Sequence, residues 1–254
     1  MTLPINTVQT QKRDRRIIYG VIIVALVGLW FYQANMALAM LQMDDMEIPL
    51  TGGFLAWLIW MWSTMMLAMM LPSALPMITT YATINRKKAA EMADARPLVS
   101  TLYFTLGYLL LWVIFSVGIG VLQWLLHKVA LLTPMMKLNN DYAAAILLIA
   151  AGLYQLTPLK RICLKYCRTP LGFIMSEYRE GNKGAFIMGL RHGGFCIGCC
   201  WILMALLFFG GVMNLYWIVG LALYVLLEKV VPMAQWMSYL VGIGLCLWGV
   251  YALF

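Results

Sequence analysis

The sequence predicts an all-α, polytopic transmembrane helical bundle, on three observations. Of its 254 residues, 63% are hydrophobic and only 11% are charged, whereas a soluble domain carries about 25% charged residues. The charge gathers in short segments between long apolar runs, which is the layout of a multi-span protein. No polar stretch is long enough to build a soluble core of its own. The chain divides into a cytoplasmic N-terminal tail, residues 1–16, and a transmembrane helical domain, residues 17–254, with about seven spans, or six if one segment fails to cross.

Each element follows from an apolar run of about 20 residues, the length that crosses the hydrocarbon core, and from the Lys/Arg bias of the segments between. Lys12, Arg13, Arg15 and Arg16 place the N-terminus in the cytoplasm, and span one is Ile17 to Leu38. That run is too long for the apolar region of a cleaved signal, and no small-residue cleavage site follows it. Residues before Lys12 are polar and expected to be disordered. Asp44, Asp45 and Glu47 mark an outer segment, and span two runs from about Phe54 to Tyr81, with Pro72 and Pro76 near its end. Arg86, Lys87, Lys88 and Arg96 mark an inner loop; span three is about Leu98 to Leu126 and span four about Tyr142 to Leu156. Lys128 and Lys137, in the outer loop between those two, are the one dissent from the charge rule. The most basic segment, Pro158 to Gly184, is cytoplasmic. Span five lies between Ala185 and Gly210 and carries the interruption Arg191-His192-Gly193-Gly194, span six is about Met213 to Leu227, and span seven about Trp236 to Phe254.

Lys plus Arg outnumber Asp plus Glu by 18 to 10. No basic patch with interleaved aromatics accompanies that surplus, so nucleic acid is not expected as a partner. There is no phosphate-binding glycine loop and no Ser-His-Asp set, and the only histidines are His127 and His192. Hydrolytic chemistry is poorly supported, and the chain reads more as a non-enzyme than as an enzyme.

Sulfur carries the chemistry that remains. Cys196, Cys199 and Cys200 fall three and four residues apart, spacings that share one helix face. If a helix starts at Gly193 and Gly194, these thiols occupy its first turn, where the positive helix end and Arg191 favour the thiolate that binds metal. Cys163 and Cys167 form a second pair, four apart, on the same predicted cytoplasmic side, where structural disulfides are not expected. With His192 nearby, five thiols on one membrane face outline a soft-metal site, and Cys246 in span seven reads as packing. A lone membrane cysteine is ordinarily a small apolar filler, but three in five positions plus a second pair point to metal or redox chemistry.

Methionine is the second signal. Among 20 Met, Met61, Met65 and Met69 recur every four residues, as do Met66 and Met70, while Met36, Met40, Met43 and Met46 lead from span one into the outer acidic segment. Thioethers and thiolates select Cu(I) over hard cations. Met is also a flexible filler, and both readings stay open for Met65, Met66, Met69 and Met70. Glu228 and Lys229, at the end of span six, are intramembrane ionisable residues of the kind that mark function, with Glu228 a candidate outer-shell partner for a ligand. A snorkelling interfacial pair is the plainer reading.

Four blocks give the chain a resemblance to a bacterial family of metal-binding integral membrane proteins known as copper chaperones. They are Trp62 through Met77 with Met65-Met66-Leu67-Ala68-Met69-Met70-Leu71-Pro72; Tyr154-Gln155-Leu156-Thr157-Pro158-Leu159-Lys160 with Cys163 and Cys167-Arg168; Cys196-Ile197-Gly198-Cys199-Cys200-Trp201 on to Met213-Asn214; and Glu228-Lys229. The resemblance implies metal binding in a bacterial inner membrane.

These readings lead to a Cu(I)-binding membrane protein acting in copper delivery or transport, with zinc on thiolates as the alternative metal. Its partners would be the lipid bilayer and a copper-dependent membrane enzyme or a soluble copper carrier. The rival readings are a membrane thiol-disulfide oxidoreductase using the Cys196/Cys199 pair and a non-catalytic assembly subunit.

Overall fold

The computed structural model describes residues 5–41, 51–89, 97–133, 136–231 and 234–253. These form helices α1 (Ile5–Leu41), α2 (Gly52–Ala89), α3 (Pro97–Lys128), α4 (Asp141–Leu156), α5 (Pro158–Arg168), α6 (Pro170–Glu177), α7 (Gly181–Ala205), α8 (Leu207–Gly210), α9 (Leu215–Val230) and α10 (Ala234–Tyr251). Among the described residues the one β feature is an isolated bridge between Leu132 and Leu138. Met43, Met46, Asp44, Asp45, Glu47 and Arg96 lie outside the described residues.

Local chemistry sets several boundaries. Asn140 caps α4 by accepting from the Ala143 amide at 3.0 Å, and Asn214 caps α9 by accepting from the Trp217 amide at 3.3 Å, the ordinary use of a short polar side chain at a helix start. Thr157 ends α4 and caps α5, accepting from the Lys160 amide at 3.3 Å, with Pro158 at the first helical position, where its missing N–H costs nothing. The chain turns there by 64°. The segment 158–180, read from its charge as a cytoplasmic connection, therefore contains two helices, and α5 tucks into the bundle. α1 starts at Ile5, and so runs unbroken through the basic stretch that was expected to follow a disordered tail.

α3 packs on α2 and α7, α4 on α10, and α5 on α7. The α3–α7 contact is backbone to backbone. A Cβ on Gly189 would strike the carbonyl of Phe104, and one on Gly107 would strike the carbonyl of Phe186. Small residues at such crossings let membrane helices approach closely. Gly152 and Gly242 do the same for α4 and α10, each facing the other's carbonyl within 3.0 Å of where a Cβ would lie. Cys246 sits in this second interface, its sulfur against Gly152 and 3.8 Å from the Ile149 carbonyl.

Among the described residues four helical stretches are long and apolar enough to cross a membrane: Arg13–Met40, Gly52–Lys88, Leu98–Lys128 and Gly181–Gly210. The bent pair α4–α5 raises the number to five. The expected count of about seven is not supported. Expected spans six and seven correspond to α9, 16 residues, and α10, 18 residues. At ~1.5 Å per residue these are about 24 and 27 Å long, short of the ~30 Å hydrocarbon core.

The ends carrying the basic clusters gather together. Asp14 of α1 pairs with Arg86 of α2, the Lys88 ammonium lies 3.4 Å over the Tyr178 ring, and Ser100 of α3 donates to Asn182 of α7 at 2.8 Å. From this end α2, α3 and α7 run on past the level at which α4 and α9 stop. α5 and α6 pack against that extension, and the polar interior lies at this level.

Candidate metal centre

α7 is helical without interruption from Gly181 to Ala205. Gly193 and Gly194 therefore do not start a helix, and the cysteines do not occupy a first turn. Cys196 lies about 22 Å along α7 from Gly181 at ~1.5 Å per residue. The reason lies in packing: a Cβ on Gly193 would sit 3.2 Å from Leu111 of α3, so this glycine serves a close approach rather than a break. Arg191 points away to an ion pair with Glu177.

Cys196, Cys199 and Cys200 are all buried, at 0–1% exposure. The Cys199 and Cys200 thiols each donate to the Cys196 carbonyl at 3.0 Å. Cys200 also reaches the Met70 thioether of α2, sulfur to sulfur at 3.9 Å. α5 brings the second pair. Cys167 interacts with the side chains of both Cys196 and Cys199, while Cys163 rests against Gly198, its sulfur 2.8 Å from where a Cβ would be. Gly198 is thus the gap that admits α5, and Tyr154 locks the same point by donating to the Gly198 carbonyl.

Cys196 is the polar centre of this group. The Lys229 ammonium, from the last turn of α9, lies 3.0 Å from its sulfur, and the Tyr108 hydroxyl of α3 lies 3.2 Å from it. Lys229 also donates to Ser73 of α2 at 2.9 Å, and Tyr108 can donate to the Met70 carbonyl at 3.2 Å. An ammonium touching a sulfur balances the charge of a thiolate, and such charge-assisted contacts are the strong ones. Sequence reasoning missed Tyr108 and Ser73. Tyr108 sits in an unmarked apolar run, and only the Ser73 step from the Met-Pro block hinted at a polar neighbour.

Other candidates are placed differently. His192 is buried among Tyr108, Phe104 and Phe173, with ring centroids at 5.4, 6.1 and 5.4 Å. Its Nδ1 has no hydrogen-bond partner among the described residues. Met65, Met66 and Met69 are buried at 0–1% exposure within the apolar core; of the stripe, Met70 is the residue with a recorded sulfur contact to a thiol. Glu228 turns away from the thiols. It takes Lys160 of α5 at 2.6 Å, Ser238 of α10 at 2.6 Å and Tyr224 at 3.0 Å.

Among the described residues no group of three or more His, Cys, Asp or Glu side chains already surrounds a point at metal-binding distances. The donor set nevertheless has the right chemistry for a soft ion: buried thiols from α5 and α7 beside a thioether from α2. No curated protein and no solved structure matches the chain. The family model described as a copper chaperone matches residues 59–252, from within α2 to just past the end of α10 and including every residue of this cluster. The chain belongs to that family, the PpoB2 copper chaperones, which gives it a copper-related role.

Proposed function

We propose that this chain is a membrane-embedded Cu(I) carrier that holds the ion between α2, α5 and α7 and hands it to a copper-dependent enzyme or a soluble carrier. The observation that supports this best is the Cys200–Met70 contact. Metal–sulfur bonds of about 2.3 Å leave two sulfurs on one ion about 4.0 Å apart in a trigonal arrangement, and the observed separation is 3.9 Å. Cys196, one helical turn before Cys200, and Cys199, the residue beside it, would supply thiolates from α7. Cys167 and Cys163 supply them from α5, across the Gly198 gap. Closing such a set on an ion needs the Cys199 and Cys200 side chains to rotate off the Cys196 carbonyl and their thiol protons to be released to solvent as the thiolates bind. His192, with its free Nδ1 four residues before Cys196, is a candidate donor on the same helix face, and Met65, Met66 and Met69 would line the approach along α2.

Thiol exchange with a protein substrate fits less well, because it requires access of the attacking thiolate to a disulfide, and these three thiols are at most 1% exposed. A small soft cation needs no such access. The basic end of the bundle is expected to face the cytoplasm of a bacterial inner membrane, so reduced copper is expected to enter from that end.

The test is elemental analysis and Cu(I)-chelator competition on protein purified in detergent with reductant. About one tightly held Cu(I) per chain is expected in the wild type. C196S/C199S/C200S is expected to hold none while keeping the wild-type helix content. A wild type that yields no copper to analysis, or a triple variant that keeps it, would overturn the site.

A further inference from the structure

α5 has two working faces. Cys163 and Cys167 look toward α7. Farther round the helix Arg161, Lys165 and Arg168, with Lys160 buried at the back, line a cavity of about 340 Å³ together with Gln155 and with Ser238 of α10. No Asp or Glu is among the described residues that line it. Glu228 lies behind the wall, spent on Lys160. That pair neutralises the deepest lysine and leaves the outer cations with a net positive field. Arg168 is held in place by donating to the Val231 carbonyl at 2.6 Å. Arg161 and Lys165 are exposed and form no ion pair among the described residues; Arg161 lies 5.9 Å over the Tyr239 ring. Beside the mouth, Leu159 and Ile162 of the same helix are 57% and 55% exposed.

The geometry points to a binding site for a phosphate-bearing anion in this cavity, distinct from the thiol cluster. Three cations lining one cavity suit a phosphate group, which they would hold through charge and N–H donation. Basic pockets between helices at a membrane interface take anionic lipid headgroups in this way, and exposed Leu159 and Ile162 give acyl chains a surface to follow. A free phosphate would use the same donors without the apolar flank. The inference does not depend on copper: Arg161 and Lys165, the cations it turns on, are exposed and lie away from the α5 face that carries Cys163 and Cys167.

Full-length protein is purified in detergent and reconstituted in nanodiscs of phosphatidylcholine with or without phosphatidylglycerol. Retained lipid is read by native mass spectrometry, and inorganic phosphate is titrated as a separate arm against chloride at equal ionic strength. Retention of phosphatidylglycerol over phosphatidylcholine is expected. R161Q/K165Q, at two exposed positions, is expected to weaken that retention about 25-fold, about fivefold per cation removed. A control, K87Q/K183Q, removes two exposed cations elsewhere and is expected to change nothing. Displacement of the lipid by inorganic phosphate, lost in R161Q/K165Q, would identify the phosphate moiety as the element recognised; lipid retention insensitive to phosphate would assign the site to the lipid. Equal retention of both lipids with no phosphate effect overturns the inference. So does equal loss in the control, which would mean surface charge in general rather than this cavity.

Discussion

Among the described residues two lysines are buried, and they are buried in different ways. Lys160, 1% exposed, is met by a carboxylate, Glu228, at 2.6 Å, with Gln155 as a second acceptor. Lys229, 8% exposed, has no carboxylate among its recorded partners. Its ammonium meets the Cys196 sulfur at 3.0 Å and the Ser73 hydroxyl at 2.9 Å. Burying a charge without compensation is costly. The first lysine is compensated by a fixed ion pair between helices, which is a structural device. The second is compensated only through a sulfur whose charge depends on proton or metal, so the region around Lys229 is where chemistry is coupled to charge. Glu228 and Lys229 are neighbours in sequence, about 100° apart around α9, and that rotation separates a structural clamp from a functional group.

The largest effect that can break this contrast is expected at the clamp. Glu228→Gln leaves the Lys160 ammonium buried against a neutral amide and is expected to cost about 3–5 kcal/mol, seen as a large fall in melting temperature in detergent. Replacing both partners, Lys160→Met with Glu228→Leu, is expected to recover most of the loss, because removing a whole buried pair is often near neutral. A double variant no more stable than Glu228→Gln alone would mean that the pair does more than clamp α5 to α9. Copper stoichiometry is expected to stay at the wild-type value in the double variant.

Next in size is the α3–α7 crossing that sets Tyr108 against Cys196. Gly189→Val forces a side chain into the Phe104 carbonyl. Overpacking of this kind costs about 1–3 kcal/mol and would push α3 off α7. Melting temperature and copper retention are therefore expected to fall together. Thermal loss with unchanged copper would separate this crossing from the site.

At Lys229 the order is reversed. Lys229→Met removes a hydrogen-bonding group but leaves Cys196 free to stay a neutral thiol, so the stability loss is expected to be about 1 kcal/mol. A Cu(I) bound by two or more thiolates is a net anion, and in a chamber this dry the ammonium is its nearest counter-charge. Chelator competition is expected to show copper held about tenfold more weakly. Tighter retention would show instead that Lys229 competes with the ion for the Cys196 sulfur.

Much of this architecture was legible in the sequence because apolar length and charge clustering are local. The Gly52–Lys88 and Leu98–Lys128 helices follow directly from their hydropathy. What was not legible depends on partners. Gly193 and Gly194 look like a break until Leu111 fills the space beside them. His192 is enclosed by rings from α3 and α6, which no spacing along α7 reveals. Cysteine spacing points to the three thiols of α7, whereas only the packing of α9 shows that Lys229, and not Glu228, meets Cys196.

The Met stripe gives the smallest predicted effect and the sharpest test of the contrast between packing and chemistry. Met61, Met65, Met66, Met69 and Met70 are all buried, because α2 is packed by α1, α3, α6 and α9 around its circumference. Burial therefore cannot distinguish a ligand from a filler; the Cys200 contact of Met70 can. Met70→Leu conserves volume and is expected to cost less than about 1.5 kcal/mol, as is Met66→Leu. Both variants are expected to melt near the wild type. Copper should leave the Met70 variant severalfold faster in a chelator-transfer assay while the Met66 variant matches the wild type. Equal transfer rates in the two would make Met70 a packing residue like its neighbours and leave the ion to the thiolates alone.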